Sequence, residues 1–300
     1  NVVLHDKIID QYKSYVGITI VSMLSILENS EDEKFEFIIL HSGLSNNALR
    51  KFEWIKNYKK CNIRFVKVNR EEFKNYPSVN WVTTAAWFRT KIPELCPDCE
   101  KVLYLDSDTM VLSSLKELFL TDLKDNYIAA VCNPETGYFN SGVILFNCHS
   151  WREEQVFNKI KNYVEANGKN VKCADQDVLN VICSSRKLML PQEYNYCEPY
   201  NYFEYETMKN PKIVHFVGPN PNRFDCLHSM KSKWNEFAVK TPFYHEFISQ
   251  NIYNMIKMYP KLKFDEFKYS TLAKIGIGKM KVKYELKAYA QQRLINSLKF

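Results

Sequence analysis

The sequence predicts an α/β protein, with a mixed but mostly parallel sheet flanked by helices. Three observations carry this. Short apolar runs with strand character alternate with stretches of helical spacing over the first 220 or so residues, the signature of strand–helix–strand winding. The run 102–105 is apolar throughout, as in a strand buried on both faces. It stops abruptly at Asp106-Ser107-Asp108, at the carboxyl end of a strand, where open sheets of this kind gather ligands.

In chain order, 2–4 reads as a short strand, followed by a polar loop through Asp10, Gln11 and Tyr12. Residues 17–27 place apolar side chains at helical spacing, and 35–40 is a second strand. Ser45 has the character of an N-cap for a helix reaching about Lys56, and 63–68 is a third strand. A helical segment over 81–95 leads to the central strand at 101–105. Strands at 127–132 and 141–147 follow, then one long amphipathic helix over 150–166 and a helix over 175–183. Strands at 187–190 and 212–217 complete the pattern.

Composition narrows the class. Three hundred residues with 46% hydrophobic content can bury a sizeable core. The longest apolar run, 15–27, is interrupted by Thr19, Ser22 and Ser25 and reads as a core helix rather than a bilayer span. The opening residues lack signal-peptide form and an initial Met, so a processed or trimmed start is expected. Nine scattered cysteines suggest reduced thiols and a cytoplasmic location. Cys96 and Cys99 form the one C-x-x-C and have no second pair for a structural zinc, so a plain loop is expected there. Charge is uneven: 251–300 holds eleven Lys/Arg against three Asp/Glu, a net of +8, which leaves −1 for the first 250 of a chain of +7. A basic surface for nucleic acid is therefore absent from the body. The expected division is a catalytic domain at 1–250 and a basic amphipathic tail at 251–300.

Asp106 and Asp108 are two apart, which in extended backbone directs both carboxylates to one face. Two adjacent like charges are costly without a cation between them, and a hard divalent ion with oxygen ligands relieves the repulsion. The plainer reading is a turn, which these residue types favour.

Several separated stretches weigh against the plainer reading. Asp10-Gln11-Tyr12, Trp87-Phe88-Arg89, the run 101–108, the run 138–143 (Tyr-Phe-Asn-Ser-Gly-Val), the run 174–180 (Ala-Asp-Gln-Asp-Val-Leu-Asn) and the run 214–218 (Val-His-Phe-Val-Gly) occur in the order of one family. Over roughly residues 1–245 the chain resembles the retaining glycosyltransferases of family 8, which include transferases of bacterial lipopolysaccharide and capsule assembly and the glycogenins. The resemblance implies a GT-A fold with a Rossmann-like sheet, a UDP-sugar donor, a saccharide or lipid-linked saccharide acceptor, and Mn²⁺ with Mg²⁺ as the alternative. It implies Asp106, Asp108 and His215 as metal ligands, and an imidazole beside two carboxylates favours Mn²⁺ over Mg²⁺. His5, Asp10 and Tyr12 would flank the nucleoside, Arg89 would reach the donor and the carboxylates, and Asn140 and Ser141 would contact the donor sugar. Gly218 would let backbone approach the diphosphate. The family's Lys in the following loop is replaced by Pro221, so Arg223 is expected to supply its charge, with Lys231 and Lys233 as weaker substitutes. Gln176 would face the anomeric centre and Asp175 would bind sugar hydroxyls. An amide is a poor nucleophile, so a front-side retaining mechanism is expected.

The aromatic stretch of Tyr194, Tyr196, Tyr200, Tyr202, Phe203 and Tyr205 is either an acceptor platform or a packed loop. In the tail, Val282, Leu286, Ala290, Leu294 and Leu298 fall four apart among lysines, suiting an anionic membrane surface through 261–300 and a peripheral place on the inner face of the cell membrane. Two other readings stand beside the transferase. A haloacid-dehalogenase-like phosphatase would carry D-x-D on its first strand, with Thr one place later than Thr109. A non-catalytic sugar-nucleotide-binding or membrane-scaffold protein would account for the missing loop Lys.

Overall fold

The computed structural model describes residues 2–5, 15–30, 33–59, 61–78, 84–198 and 208–275, together with 284–285, 287–289, 291–292 and 295. In chain order, β1 (Val2–His5) is followed by α1 (Tyr15–Glu28), β2 (Glu36–His41), α2 (Asn46–Lys59) and β3 (Asn62–Lys67). A 3-10 segment, Thr84–Lys91, runs into α3 (Ile92–Leu95) and then β4 (Lys101–Leu105), β5 (Thr109–Val111) and α4 (Lys116–Leu120). Next come β6 (Ile128–Cys132), β7 (Phe139–Asn147), α5 (Cys148–Glu153), α6 (Val156–Asn167) and α7 (Asp175–Ile182). β8 (Lys187–Leu190), a 3-10 turn Gln192–Asn195, β9 (Tyr196–Cys197) and β10 (Ile213–His215) precede α8 (Lys231–Ala238) and α9 (Tyr244–Ile275).

Seven strands form the main sheet in the order β3-β2-β1-β4-β7-β6-β8. The first four are mutually parallel, β7 is antiparallel to both β4 and β6, and β8 is parallel to β6. This is the mixed, mostly parallel sheet flanked by helices that the sequence predicts. β4 sits at its centre, and Val102 to Leu105 are wholly buried, which accounts for the unbroken apolar run. Trp87, Phe88, Tyr104, Phe146 and Trp151 fill the core on one side of it. A small second sheet, β5-β10-β9, forms beyond the end of β4.

The expected strands and helices occur, with boundaries moved by one to three residues. Ser45 caps α2 as expected, its hydroxyl accepting from the Ala48 amide at 3.2 Å. The Ser and Thr interruptions of α1 are spent inside the core. Thr19 donates back to the Tyr15 carbonyl, Ser25 donates to the Ser22 carbonyl while accepting from the Val111 amide, and Ser22 meets the Thr109 hydroxyl. The helix thereby anchors β5.

Two expectations change. The segment 81–95 is largely a 3-10 run rather than an α-helix over its described part. The single helix expected over 150–166 is two, α5 and α6, broken at Gln155, whose φ of 50° and ψ of 45° are left-handed. The apolar spacing continues across the break, because Trp151 and Phe157 both face the core, so periodicity alone cannot reveal it.

By packing, the chain forms two compact units, Asn1–His215 and Phe216–Phe300. Within the second, Trp234 on α8 packs on Phe247 of α9, and Asn251 holds the preceding loop through the Phe224 amide and the Asn222 carbonyl. α9 runs without interruption across position 250, where the catalytic domain and tail were expected to part. Val282, Leu286, Ala290, Leu294 and Leu298 lie outside the described residues, as do Tyr200, Tyr202, Phe203 and Tyr205.

A left-handed non-glycine residue costs about 1 kcal/mol or more. Gln155→Gly is therefore expected to raise stability by about 0.5–1 kcal/mol, read as a higher denaturant midpoint at unchanged slope.

Candidate active site and metal centre

The site is built where β4 ends and β7 begins. Because β7 runs opposite to β4, with Val143 paired to Leu105, residues 139–142 lie beside the carboxyl end of β4. Asp106 donates its amide to the Gly142 carbonyl at 2.7 Å. The chain then turns rather than staying extended: the Thr109 amide and hydroxyl both return to the Asp106 carbonyl, at 3.2 and 2.8 Å. Asp106-Ser107-Asp108 is thus a turn and also a carboxylate cluster. The two readings of the sequence describe one object, and turn closure rather than strand alternation brings the carboxylates together.

β10 supplies the third group. Its antiparallel register sets His215 opposite Thr109, next to Asp108. His215 Nε2 lies 3.6 Å from Asp106 Oδ2 and 3.5 Å from Asp108 Oδ1, and the three donor atoms fall within 4.8 Å of one another. All three residues are buried. Asp108 Oδ1 has no hydrogen-bond donor, a costly state for a buried carboxylate oxygen. Gly142 completes the cradle, since a Cβ there would lie 2.1 Å from His215 Cε1 and 2.9 Å from Asp106 Oδ2. Two carboxylate oxygens and an imidazole nitrogen, one oxygen orphaned, fit a divalent cation. Burial works against a charged His215, but Cys197 and the Asp108 carboxylate outweigh it and raise its pKa to about 10.

Arg89 closes the opposite side. Its Nη2 lies 3.1 Å from Asp106 Oδ1, its Nε 3.0 Å from Asp175 Oδ2, and its Nη1 donates to the Ser141 carbonyl and hydroxyl oxygens at 2.5 and 3.1 Å. The guanidinium also sits over the Tyr104 ring, 4.7 Å from its centroid. Burial disfavours its charge, but Asp106 and Asp175 hold it protonated. Burial keeps the Tyr104 hydroxyl protonated as well, and it donates to Asp106 Oδ1 at 2.5 Å. Oδ1 of Asp106 is thus engaged by Arg89 and Tyr104, while Oδ2 faces His215.

The Asp175 carboxylate pairs with Arg89 and accepts from the Ser141 hydroxyl at 3.3 Å, and the residue is buried. The carboxylate expected to bind sugar hydroxyls is engaged by Arg89 in the structure. Gln176 is half-buried and anchored at both ends. Its Oε1 accepts from the Ser141 amide at 3.0 Å and its Nε2 donates to the Tyr138 hydroxyl at 3.1 Å, which in turn donates to Asp177 at 2.6 Å. α7 is fixed against β7 by Asn180, whose side-chain amide pairs with both backbone groups of Phe139 at 2.8 Å. Asn140 Oδ1 accepts from the Gly142 amide at 2.9 Å.

Arg89, Asp106, Asp108, Asn140, Ser141, Asp175, Gln176 and His215 therefore converge. Asp10 and Tyr12 lie outside the described residues, and for His5 only the backbone at the end of β1 is described. Gly218, in the second unit, has a φ of 109°, a conformation that favours glycine. The Arg223 guanidinium forms a two-pronged pair with Asp225 at 2.7 and 2.5 Å. Lys231 Nζ donates to the Arg223 and Phe224 carbonyls, and burial lowers its pKa. Sequence reasoning missed Tyr104, Tyr138, Gly142 and Asn195 as parts of the site. Tyr104 was detectable, being two residues before Asp106 on one strand.

A family model described as "Glycosyl transferase family 8" matches residues 8–220. A lipopolysaccharide 1,3-galactosyltransferase of Salmonella typhimurium is 27% identical, over 74% of this chain and 77% of that protein. A lipopolysaccharide 1,2-glucosyltransferase of Escherichia coli is 26% identical, over 73% of this chain and 69% of that protein. Among solved structures, the galactosyltransferase LgtC in complex with donor and acceptor sugar analogs superposes with a TM-score of 0.71 at 27% identity, covering 80% of this chain and 96% of that one.

Gly142→Ala is expected to push the imidazole out of the cradle and weaken Mn²⁺ binding at least tenfold, measured by calorimetric titration of the folded variant.

Proposed function

The chain belongs to glycosyl transferase family 8, and from that premise we propose that it is a metal-dependent retaining hexosyltransferase. It moves a hexose from a UDP-sugar to a saccharide or lipid-linked saccharide acceptor, in cell-surface polysaccharide or lipopolysaccharide synthesis. The observation that carries the reading is the convergence of Asp106, Asp108 and His215 around one orphaned carboxylate oxygen. The activities of the lipopolysaccharide transferases above support the pathway.

Asp106, Asp108 and His215 would hold the cation, with Mn²⁺ preferred and Mg²⁺ the alternative. When bound, the ion supplies a positive centre for the departing diphosphate. Arg89 adds a fixed charge beside it without reorganising, because its own partners are already in place. Asn140 and Ser141 contact the donor sugar. Gln176 presents the remaining lone pair of its amide oxygen to the oxocarbenium-like centre of a front-side transfer. His5, Asp10 and Tyr12 flank the nucleoside, and Gly218 and Arg223 serve the diphosphate. Asp225 already engages Arg223 through Nε and Nη2. That pair favours the second reading, a non-catalytic nucleotide-sugar-binding or membrane-scaffold protein.

UDP release from UDP-glucose, UDP-galactose and UDP-N-acetylglucosamine, assayed with Mn²⁺, separates the two. The transferase reading expects Mn²⁺-dependent release with one donor, falling at least a hundredfold in Asp108→Ala. No release with any donor supports the scaffold. The raised pKa of His215 adds a sign. Cation binding has to expel its proton, so Mn²⁺ affinity is expected to fall by up to about tenfold per pH unit as pH drops below about 10, with proton release in weak buffer.

No helix among the described residues is long and apolar enough to cross a membrane. We assign the catalytic role to 1–250 and peripheral contact with the anionic inner face of the cell membrane to 261–300. Phe264 and Phe267 are 65% and 71% exposed on α9, with Lys261, Lys263 and Lys268 exposed around them, and such a face suits anionic lipid. Deleting 261–300 is expected to abolish co-sedimentation with anionic vesicles. Unchanged partition would reject the membrane role and leave the catalytic reading intact.

A further inference from the structure

Asn195 is a buried residue of the 3-10 turn Gln192–Asn195, twenty positions before His215, and the transfer chemistry gives it no task. β9 follows it directly and runs parallel to β10, with Cys197 registered against His215, so Asn195 comes to rest beside the imidazole. Its Oδ1 lies 3.1 Å from His215 Nδ1, and its Nδ2 donates to Asn140 Oδ1 at 3.2 Å.

The direction of every bond in this chain follows from one backbone group. The Gly142 N–H can only donate, so the Asn140 atom it meets at 2.9 Å is the carbonyl oxygen. Asn195 therefore turns its NH₂ toward Asn140 and its oxygen toward His215. An amide oxygen only accepts, so the hydrogen between Asn195 and His215 belongs to Nδ1. Cys197 Sγ lies 3.5 Å from the same oxygen and 3.7 Å from Nδ1. In the neutral imidazole Nε2 is then the atom with the available lone pair, and it is the atom facing Asp106 and Asp108.

We propose that Asn195 is a positioning residue for the metal centre: its side-chain oxygen, at the end of the relay Gly142–Asn140–Asn195, accepts from Nδ1 and so fixes the His215 tautomer and ring orientation that present Nε2 as a ligand. Outer partners of ligating histidines typically set metal affinity by ten- to a hundredfold. The relay also ties the metal ligand to Asn140, which the proposed function assigns to the donor sugar. The inference rests on that reading of Asp106, Asp108 and His215 as the metal site.

The test is Mn²⁺ binding to the full chain without donor, by calorimetry and by pulsed EPR for the nitrogen modulation of a coordinated imidazole. Wild type is expected to bind with the imidazole signal, and His215→Ala to lose it. Asn195→Leu keeps the volume and removes the acceptor, so it is expected to weaken Mn²⁺ at least tenfold and to lose the signal. Asn195→Asp keeps an oxygen facing Nδ1 and is expected to restore both to within about threefold of wild type. A merely structural role for Asn195 would not be rescued by a carboxylate that cannot donate to Asn140. Asn195→Leu with wild-type affinity and signal overturns the positioning role alone, and so does Asn195→Asp as impaired as Asn195→Leu. If Asn195→Leu does not fold, the Asn195→Asp comparison with wild type decides. Wild type that binds no Mn²⁺ overturns the metal site and this inference together.

Discussion

The site is organised by one electrostatic constraint: two carboxylates are buried in a three-residue turn. Donor atoms of Asp106, Asp108 and His215 crowd within 4.8 Å, and at an effective dielectric of about 20 two like charges near that separation repel by roughly 3.5 kcal/mol. Neither residue is exposed enough for water to screen the pair. The fold answers asymmetrically. Asp106 is neutralised from the core side by Arg89 and held by Tyr104, whereas Asp108 keeps an oxygen without a donor. A permanent cation sits on one face of the pair, and the other face is the one proposed to take an exchangeable cation.

Arg89 in turn would be untenable without company. A buried guanidinium needs nearly all its donors occupied, and breaking such a pair leaves an uncompensated charge worth several kcal/mol. Its partners come from three distant places: Asp106 after β4, Ser141 in β7, and Asp175 at the start of α7. The 3-10 segment that carries it, the strand reversal at β7 and the approach of α7 therefore become one cooperative arrangement. Asp175 belongs to that arrangement through its pair with Arg89 and its bond from the Ser141 hydroxyl.

Much of this was legible in the sequence, for identifiable reasons. Alternating periodicities mark most of the strands and helices because burial imposes them. The three metal-ligand candidates and Arg89 were found because family motifs cover them. What stayed hidden had no local signal. Asn195 lies in a tyrosine-rich stretch, and its meaning comes from the register of a two-residue strand. The Arg223–Asp225 pair was readable as i, i+2 neighbours, yet sequence does not say that the two side chains meet. The break at Gln155 was invisible because both halves of the helix keep their apolar face inward.

The irregular start of β7 explains why these side chains can be oriented at all. β6 and β7 pair regularly from Ile128↔Phe146 to Ala130↔Ile144, then shift register, resuming at Cys132↔Phe139. Residues 140–143 are thereby released from that ladder, and bulges of this kind recur beside active sites. Two consecutive amides in the released stretch take side-chain acceptors instead: Ser141 donates to Gln176 and Gly142 to Asn140. Because a backbone N–H has only one polarity, each amide fixes the direction of a side-chain carboxamide, and with it everything hydrogen-bonded further out. One relay ends at the oxygen of Gln176, on the side assigned to the sugar, and the other at Nε2 of His215, on the side assigned to the metal. A single irregularity in one strand pairing thus sets the polarity of both halves of the site, and neither half can be reoriented without re-registering the sheet.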